Sequence, residues 1–156
     1  GWTGENGFVC TLAADDYANT RLIVSTESAR KIDSISRACR VISPKRLLLG
    51  LDYRNGHLLC HSGNEHEWVA SAVQECIGGL VILDLAAVGT GVGGSTLSAC
   101  RRTRVLAPEL PIYSGGGVCH AADATKLLGA GCNQLLVATA LHQLMDRSGV
   151  DDLGDE

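Results

Sequence analysis

The chain is poor in aromatic side chains, which make up 4% of its 156 residues, so its interior is left to aliphatic packing. It has no excess of basic charge. The net charge is −4, with lysine and arginine scattered rather than striped, which argues against a nucleic-acid partner. It also has no long hydrophobic run: the longest, Ile77 to Val88, carries Asp84 and two glycines and is too short to span a bilayer. No signal peptide is visible, so the expectation is a cytoplasmic protein with no membrane partner. Seven cysteines (10, 39, 60, 76, 100, 119 and 132) include no C-x-x-C pair and are odd in number; they read as reduced, packed thiols.

What is abundant is aliphatic residues and glycine. Hydrophobic residues make up 46% and there are 19 glycines, a mix that suits parallel α/β folds with buried strands and glycine in the connecting turns. Strands are expected at 21–25, 46–52, 80–84, 111–114 and 134–137. Helices are expected at 29–39, 65–76, 95–106, 120–128 and 140–145. Asn55-Gly56 marks a tight turn, followed by a return strand over 58–60. In the helix beginning at Glu65, residues Trp68, Ala72, Val73 and Cys76 should share one face.

Five βα steps at this spacing suit right-handed crossovers. Three consecutive strands also empty into loops of small residues: Val88-Gly89-Thr90-Gly91-Val92-Gly93-Gly94, Ser114-Gly115-Gly116-Gly117 and Val137-Ala138-Thr139-Ala140-Leu141. Small residues let backbone N–H groups approach an anion closely. Parallel strands whose ends converge on phosphate are the arrangement of a (β/α)8, or TIM, barrel. Leu22-Ile23-Val24-Ser25-Thr26 is echoed by Leu135-Leu136-Val137-Ala138-Thr139, which suits a barrel of two similar halves. The expected fold is therefore α/β, a partial TIM barrel comprising strands 4 to 8. Residues 1–20 are a remnant preceding strand 4, 21–145 the phosphate-binding C-terminal part, and 146–156 an acidic tail.

These residues resemble the histidine-biosynthesis barrel family, which contains a phosphoribosyl-type ribotide isomerase and the cyclase subunit of imidazole-glycerol-phosphate synthase. The resemblance lies in Leu48-Leu49-Gly50-Leu51-Asp52, in Asp84 through Gly93, in Ser114-Gly115-Gly116 and in Ala138-Thr139-Ala140-Leu141, in that order. Leu83 and Val88 depart from the family pattern, which has a threonine and an aspartate there. The chain is most similar to a divergent group of archaea and methylotrophs, for which a one-carbon or pterin-linked role is the alternative.

The resemblance implies an Amadori-type aldose–ketose rearrangement, a histidine-biosynthesis-like isomerase reaction on a small phosphorylated substrate, with no cofactor and no metal. It places a catalytic acid or base at Asp52. It places phosphate ligands at Gly89, Gly115, Gly116, Ala138 and Thr139, with Gly117 in the same triplet, and a second phosphate site at Ser25 and Thr26. The family's second catalytic group lies on the first strand, so the chain alone is expected to be inactive and to need the missing N-terminal strands or a homodimer mate. A non-catalytic phosphate-binding module is the rival reading, because an anion loop can outlive its polar catalytic groups. Asp84 fits a structural hydrogen bond as well as catalysis. His57, His61 and His66 read as solvated loop residues rather than zinc ligands, and His142 as a structural helix residue.

Overall fold

The computed structural model describes residues 19–90 and 94–138. Residues 1–18 of the expected 1–20 remnant, the helix at 140–145, the acidic tail, Cys10, Thr139 and His142 lie outside the described residues.

Among the described residues the strands are β1 (Leu22–Ser25), β2 (Leu47–Arg54), β3 (His57–Leu58), β4 (Gly79–Asp84), β5 (Ile112–Gly115) and β6 (Gln134–Leu136). The helices are α1 (Ser34–Cys39), α2 (Glu65–Gln74), α3 (Leu97–Leu106) and α4 (Ala121–Gly129). The sheet runs β1-β2-β4-β5-β6, all parallel, with β3 added antiparallel to β2. The order never reverses. Right-handed crossovers along an unreversed order place every connecting helix on the same face.

The packing follows from that winding. Leu47, Leu49, Leu51 and Tyr53 of β2, Leu80 and Ile82 of β4 and Ile112 of β5 are buried in one cluster with Ile35, Trp68, Val69, Ala72, Cys100 and Leu127 from the four helices. Alternate residues face the other way. Register aligns Ile23, Leu48 and Gly79 on that second face, then Ser25, Gly50, Val81 and Tyr113, then Asp52, Leu83, Gly115 and Leu136. Among the described residues no helix covers it, and Ile23 and Leu136 stand 56% and 45% exposed. The face is concave: the Arg21 guanidinium reaches the Tyr113 hydroxyl across two intervening strands and lies 5.9 Å from the ring centroid.

Local chemistry shifts several element ends. Asn55 and Gly56 take φ of +52° and +79°, the primed-turn geometry that closes a two-residue hairpin. This carries β2 on to Arg54, and the return strand is His57–Leu58 rather than 58–60. Asp52 is therefore inside the strand, its carbonyl accepting from the Leu59 N–H at 2.7 Å. The expected helix over 29–39 is helical only from Ser34, because Asp33 and Ser34 favour a helix start over a helix interior. In α2 the buried face is Trp68, Val69 and Ala72, whereas Val73 is 41% exposed and Cys76 lies past the helix end with φ +52°. Asn64 and Glu67 form a reciprocal capping box that fixes where α2 begins.

Trp68 is fully buried, and its ring N–H donates to the Ser62 carbonyl at 2.9 Å. Trp68→Ala should cost about 3–5 kcal/mol of unfolding free energy, measured by denaturant titration.

Candidate functional site

Two features meet on the concave face at the carboxyl ends of the strands. The first is Asp52, 8% exposed and held by β1 through two hydroxyls. The Ser25 hydroxyl donates to Asp52 Oδ2, and the Thr26 hydroxyl oxygen accepts from the Asp52 N–H at 3.2 Å. Thr26 is itself fixed, its N–H donating to the Gly50 carbonyl at 2.9 Å. A Cβ at Gly50 would stand 3.0 Å from Ile23 Cγ2 and 3.7 Å from Asp52 Oδ2, so the glycine keeps space beside the carboxylate. No described residue donates to Oδ1.

The second feature is a cleft of ≈ 460 Å³ over the ends of β4, β5 and β6. Its wall is Leu83 of β4, Val88 and Gly89 of the following loop, Gly116 to Cys119, and Leu135 to Ala138. Gly116 and Gly117 both take left-handed φ, +94° and +76°, which turns the chain sharply out of β5. Among the described residues none accepts from the Gly116, Gly117 or Val118 N–H groups. The next two amides are already satisfied, since Cys119 and His120 donate to Asp123 Oδ2 at 3.4 and 3.2 Å. Three residues whose N–H groups have no acceptor among the described residues therefore line a pocket whose side chains are mostly apolar.

Gly89, Gly116 and Ala138 are thus brought together on one cleft. Gly115 is not on its wall: a Cβ there would lie 2.6 Å from the Leu136 carbonyl oxygen, so close strand packing demands the glycine. Ser25 and Thr26 are turned to Asp52 rather than to the cleft, and Thr26 is fully buried. Asp52 is the register partner of Leu83, one strand spacing of about 4.8 Å from the cleft wall. Val118, Leu136 and Val137 are not among the site residues expected from sequence. Their placement depends on the two positive φ values after β5, which the residue letters permit but do not specify.

Asp84 faces the helical side, opposite to Leu83. Its Oδ1 accepts from the Asn55 N–H at 3.2 Å and the Ala86 N–H at 3.0 Å, tying the hairpin to the loop after β4. Ser114 is a latch on that same side, hydrogen-bonded to the Thr96 hydroxyl at 2.9 Å and donating to the Ile82 carbonyl at 3.1 Å. Arg102 forms an ion pair with Glu65 at 2.9 Å, joining α3 to the start of α2, and this bond raises the Arg102 pKa. Burial, then the nearby Glu65 charge, pushes the Tyr53 phenol above its ordinary value. The described cysteines are free thiols, and burial raises the pKa of Cys100 and Cys132. Among the described residues no three His, Cys, Asp or Glu side chains gather as a metal site, and no helix is long and apolar enough to cross a membrane.

The model of the family described as histidine biosynthesis protein matches residues 12–146. The chain belongs to that family. It is also 32% identical over 125 residues to an uncharacterized protein of Methanocaldococcus jannaschii, covering 79% of this chain. The chain spans about half, 49%, of that relative's length. Unreversed parallel winding and family membership together make the sheet part of a TIM barrel, and Asp52 and the cleft lie on the rim where such barrels carry their chemistry.

Two measurements follow from this geometry. Asp84→Ala should lower stability by about 1–3 kcal/mol in denaturant titration, because two backbone N–H groups lose their acceptor. In the native protein at pH 8, iodoacetamide followed by peptide mass mapping should label exposed Cys76 well before Cys100 and Cys132. Their raised pKa lowers the thiolate fraction and burial blocks access, so they should react only after unfolding.

Proposed function

We propose that this chain carries the acid–base carboxyl and a phosphate cradle of a phosphosugar isomerase-like enzyme performing an Amadori-type aldose–ketose rearrangement. The observation supporting this most directly is the juxtaposition itself. Asp52 lies on the concave face one strand from a cleft lined by three residues whose backbone N–H groups have no acceptor among the described residues. Neutral amides of this kind bind phosphate oxygens without cationic side chains.

In such a rearrangement an acid protonates the ring oxygen of an aminoaldose and the ring opens to an imine. A base then takes the proton from the adjacent carbon, and the electron pair moves through an enol to give the aminoketose. With Ser25 occupying Oδ2, Oδ1 is the Asp52 oxygen left for proton transfer. Ser25 and Thr26 act on this reading as positioning residues, fixing the carboxylate and the backbone beneath it. The second proton-transfer group would come from another part of the barrel, whether further strands of the same protein or a second copy, in a cytoplasmic setting.

A binding module without turnover is the second reading, and Leu83 and Val88 are the observation favouring it. Both are apolar side chains on the cleft wall, where the resemblance would place polar groups.

Turnover of an N-substituted phosphoribosylamine, measured on the barrel containing this chain, tests the two readings. Asp52→Asn should lower kcat about 10²–10⁴-fold and leave the Kd for inorganic phosphate within about two-fold. Ser25→Ala should lower kcat less, again without weakening phosphate. Unchanged turnover in Asp52→Asn would remove Asp52 from the chemistry. Unshifted Gly116, Gly117 and Val118 amide resonances on adding phosphate would remove the cradle.

A further inference from the structure

Asp52 and the cleft are each supported locally. β1 holds Asp52 through Ser25 and Thr26, while the Gly116–Gly117 turn follows β5 and packs on the Asp84 backbone. Neither support spans the sheet. The relation between the two features depends on how far the sheet curls from β1 to β5, across β2 and β4. Among the described residues β1 has one ladder neighbour, β2, over four register pairs, so its edge position leaves the curl to side chains.

Side chains of the two flanking strands lean inward over glycines of the two inner ones. A Cβ at Gly50 of β2 would stand 3.0 Å from Ile23 Cγ2, and one at Gly79 of β4 would stand 3.0 Å from Tyr113 Cε2. Ile23 of β1 therefore rests over β2, and the Tyr113 ring of β5 rests over β4. Glycine at both points removes bulk from the concave side of the inner strands, which lets the flanks close toward each other. They meet where the Arg21 guanidinium donates to the Tyr113 hydroxyl oxygen. The guanidinium lies 5.9 Å from the ring centroid, within range of attraction between a cation and an aromatic face. The chain entering Arg21 is itself anchored, because Arg46 Nε donates to the Thr20 carbonyl at 3.0 Å.

We infer that Arg21 and Tyr113 form a strut across the concave face that sets the curl of the sheet, and with it the placement of Asp52 relative to the Gly116–Val118 cradle. Both are positioning residues. They lie nearer the amino ends of the strands than Asp52, and neither lines the cleft. The effect of the strut on rate rests on the isomerase reading above; its effect on shape does not. A substrate held in the cradle must reach the carboxylate, and a misplacement of about 1 Å can cost up to 10²-fold in rate.

Backbone residual dipolar couplings measured on the whole chain test the strut, with Arg21→Met and Tyr113→Phe as variants. Methionine removes the donor and the charge from an exposed side chain, and phenylalanine removes only a hydroxyl, so the core is untouched. Each variant should turn the β1 N–H vectors against those of β5 by more than the scatter within either strand. The double variant should be turned no further than Arg21→Met, since both changes remove the same bond. On the barrel containing this chain, each should lower kcat for the phosphoribosylamine about ten-fold and keep the Kd for inorganic phosphate within about two-fold. An unchanged β1–β5 orientation in both single variants overturns the strut. So do displacements that add in the double variant, because the two side chains would then act separately. A turned β1 with kcat at the parent value, or with phosphate affinity lost in step, overturns the placement of Asp52 by the strut. If the parent barrel turns over no phosphosugar, the isomerase reading fails and the couplings alone decide the strut.

Discussion

Unreversed right-handed winding is the constraint on which the rest of this structure depends. Five parallel strands in the order β1-β2-β4-β5-β6 put all four described helices on one face and all strand carboxyl ends on one rim. The helical face becomes the core, with Leu49, Leu51, Leu80, Ile82 and Ile112 essentially excluded from solvent. The opposite face is left without a helix over it among the described residues. Parallel sheets are stable when both faces are covered, and here Ile23 and Leu136 show the face that is not.

Polar side chains on the helical side keep the rim in place. Asp84 ties the hairpin after β2 to the loop after β4, and Thr96 with Ser114 ties the start of α3 to β4 and β5. Gly116 sits against this frame, its missing Cβ leaving room for the Asp84 carbonyl oxygen, which would be 3.2 Å away. The turn that carries Gly116 and Gly117 is thereby held by residues on the helical side. Serine, threonine and aspartate in the loop motifs are therefore divided by strand parity: Asp52 faces the cavity, Ser114 and Asp84 face the helices.

Much of this was legible in the residues. Long aliphatic runs such as Leu47 to Leu51 and Gly79 to Leu83 announce buried parallel strands, and Asn55-Gly56 announces its hairpin through the backbone geometry only such pairs adopt easily. The start of α1 was less legible, because Ala29 to Ile32 matches a helical period while Asp33 and Ser34 compete for the cap. The hardest part was the division of labour among small residues. Gly115 and Gly116 are adjacent and chemically identical, yet one answers to strand packing against Leu136 and the other to a turn that frees an amide. Ser25 and Thr26 read as a phosphate pair by resemblance. Their side chains serve Asp52 because β1 lies beside β2 in a register that no local pattern encodes.

The same register explains why the site depends on dryness. Neutral amide donors hold an anion weakly in water and much more strongly where water is excluded, since electrostatic attraction scales inversely with the local dielectric. The cleft has the apolar walls for that exclusion, but Val88 and Val137 still face solvent on the open side of the sheet. Whatever covers the concave face therefore does more than bury Ile23 and Leu136. On the proposed reading it would raise the local field of the Gly116–Val118 amides and of Asp52 together, because the two lie one strand apart. On the proposed reading, closing the barrel would strengthen the amides and the carboxylate in one step.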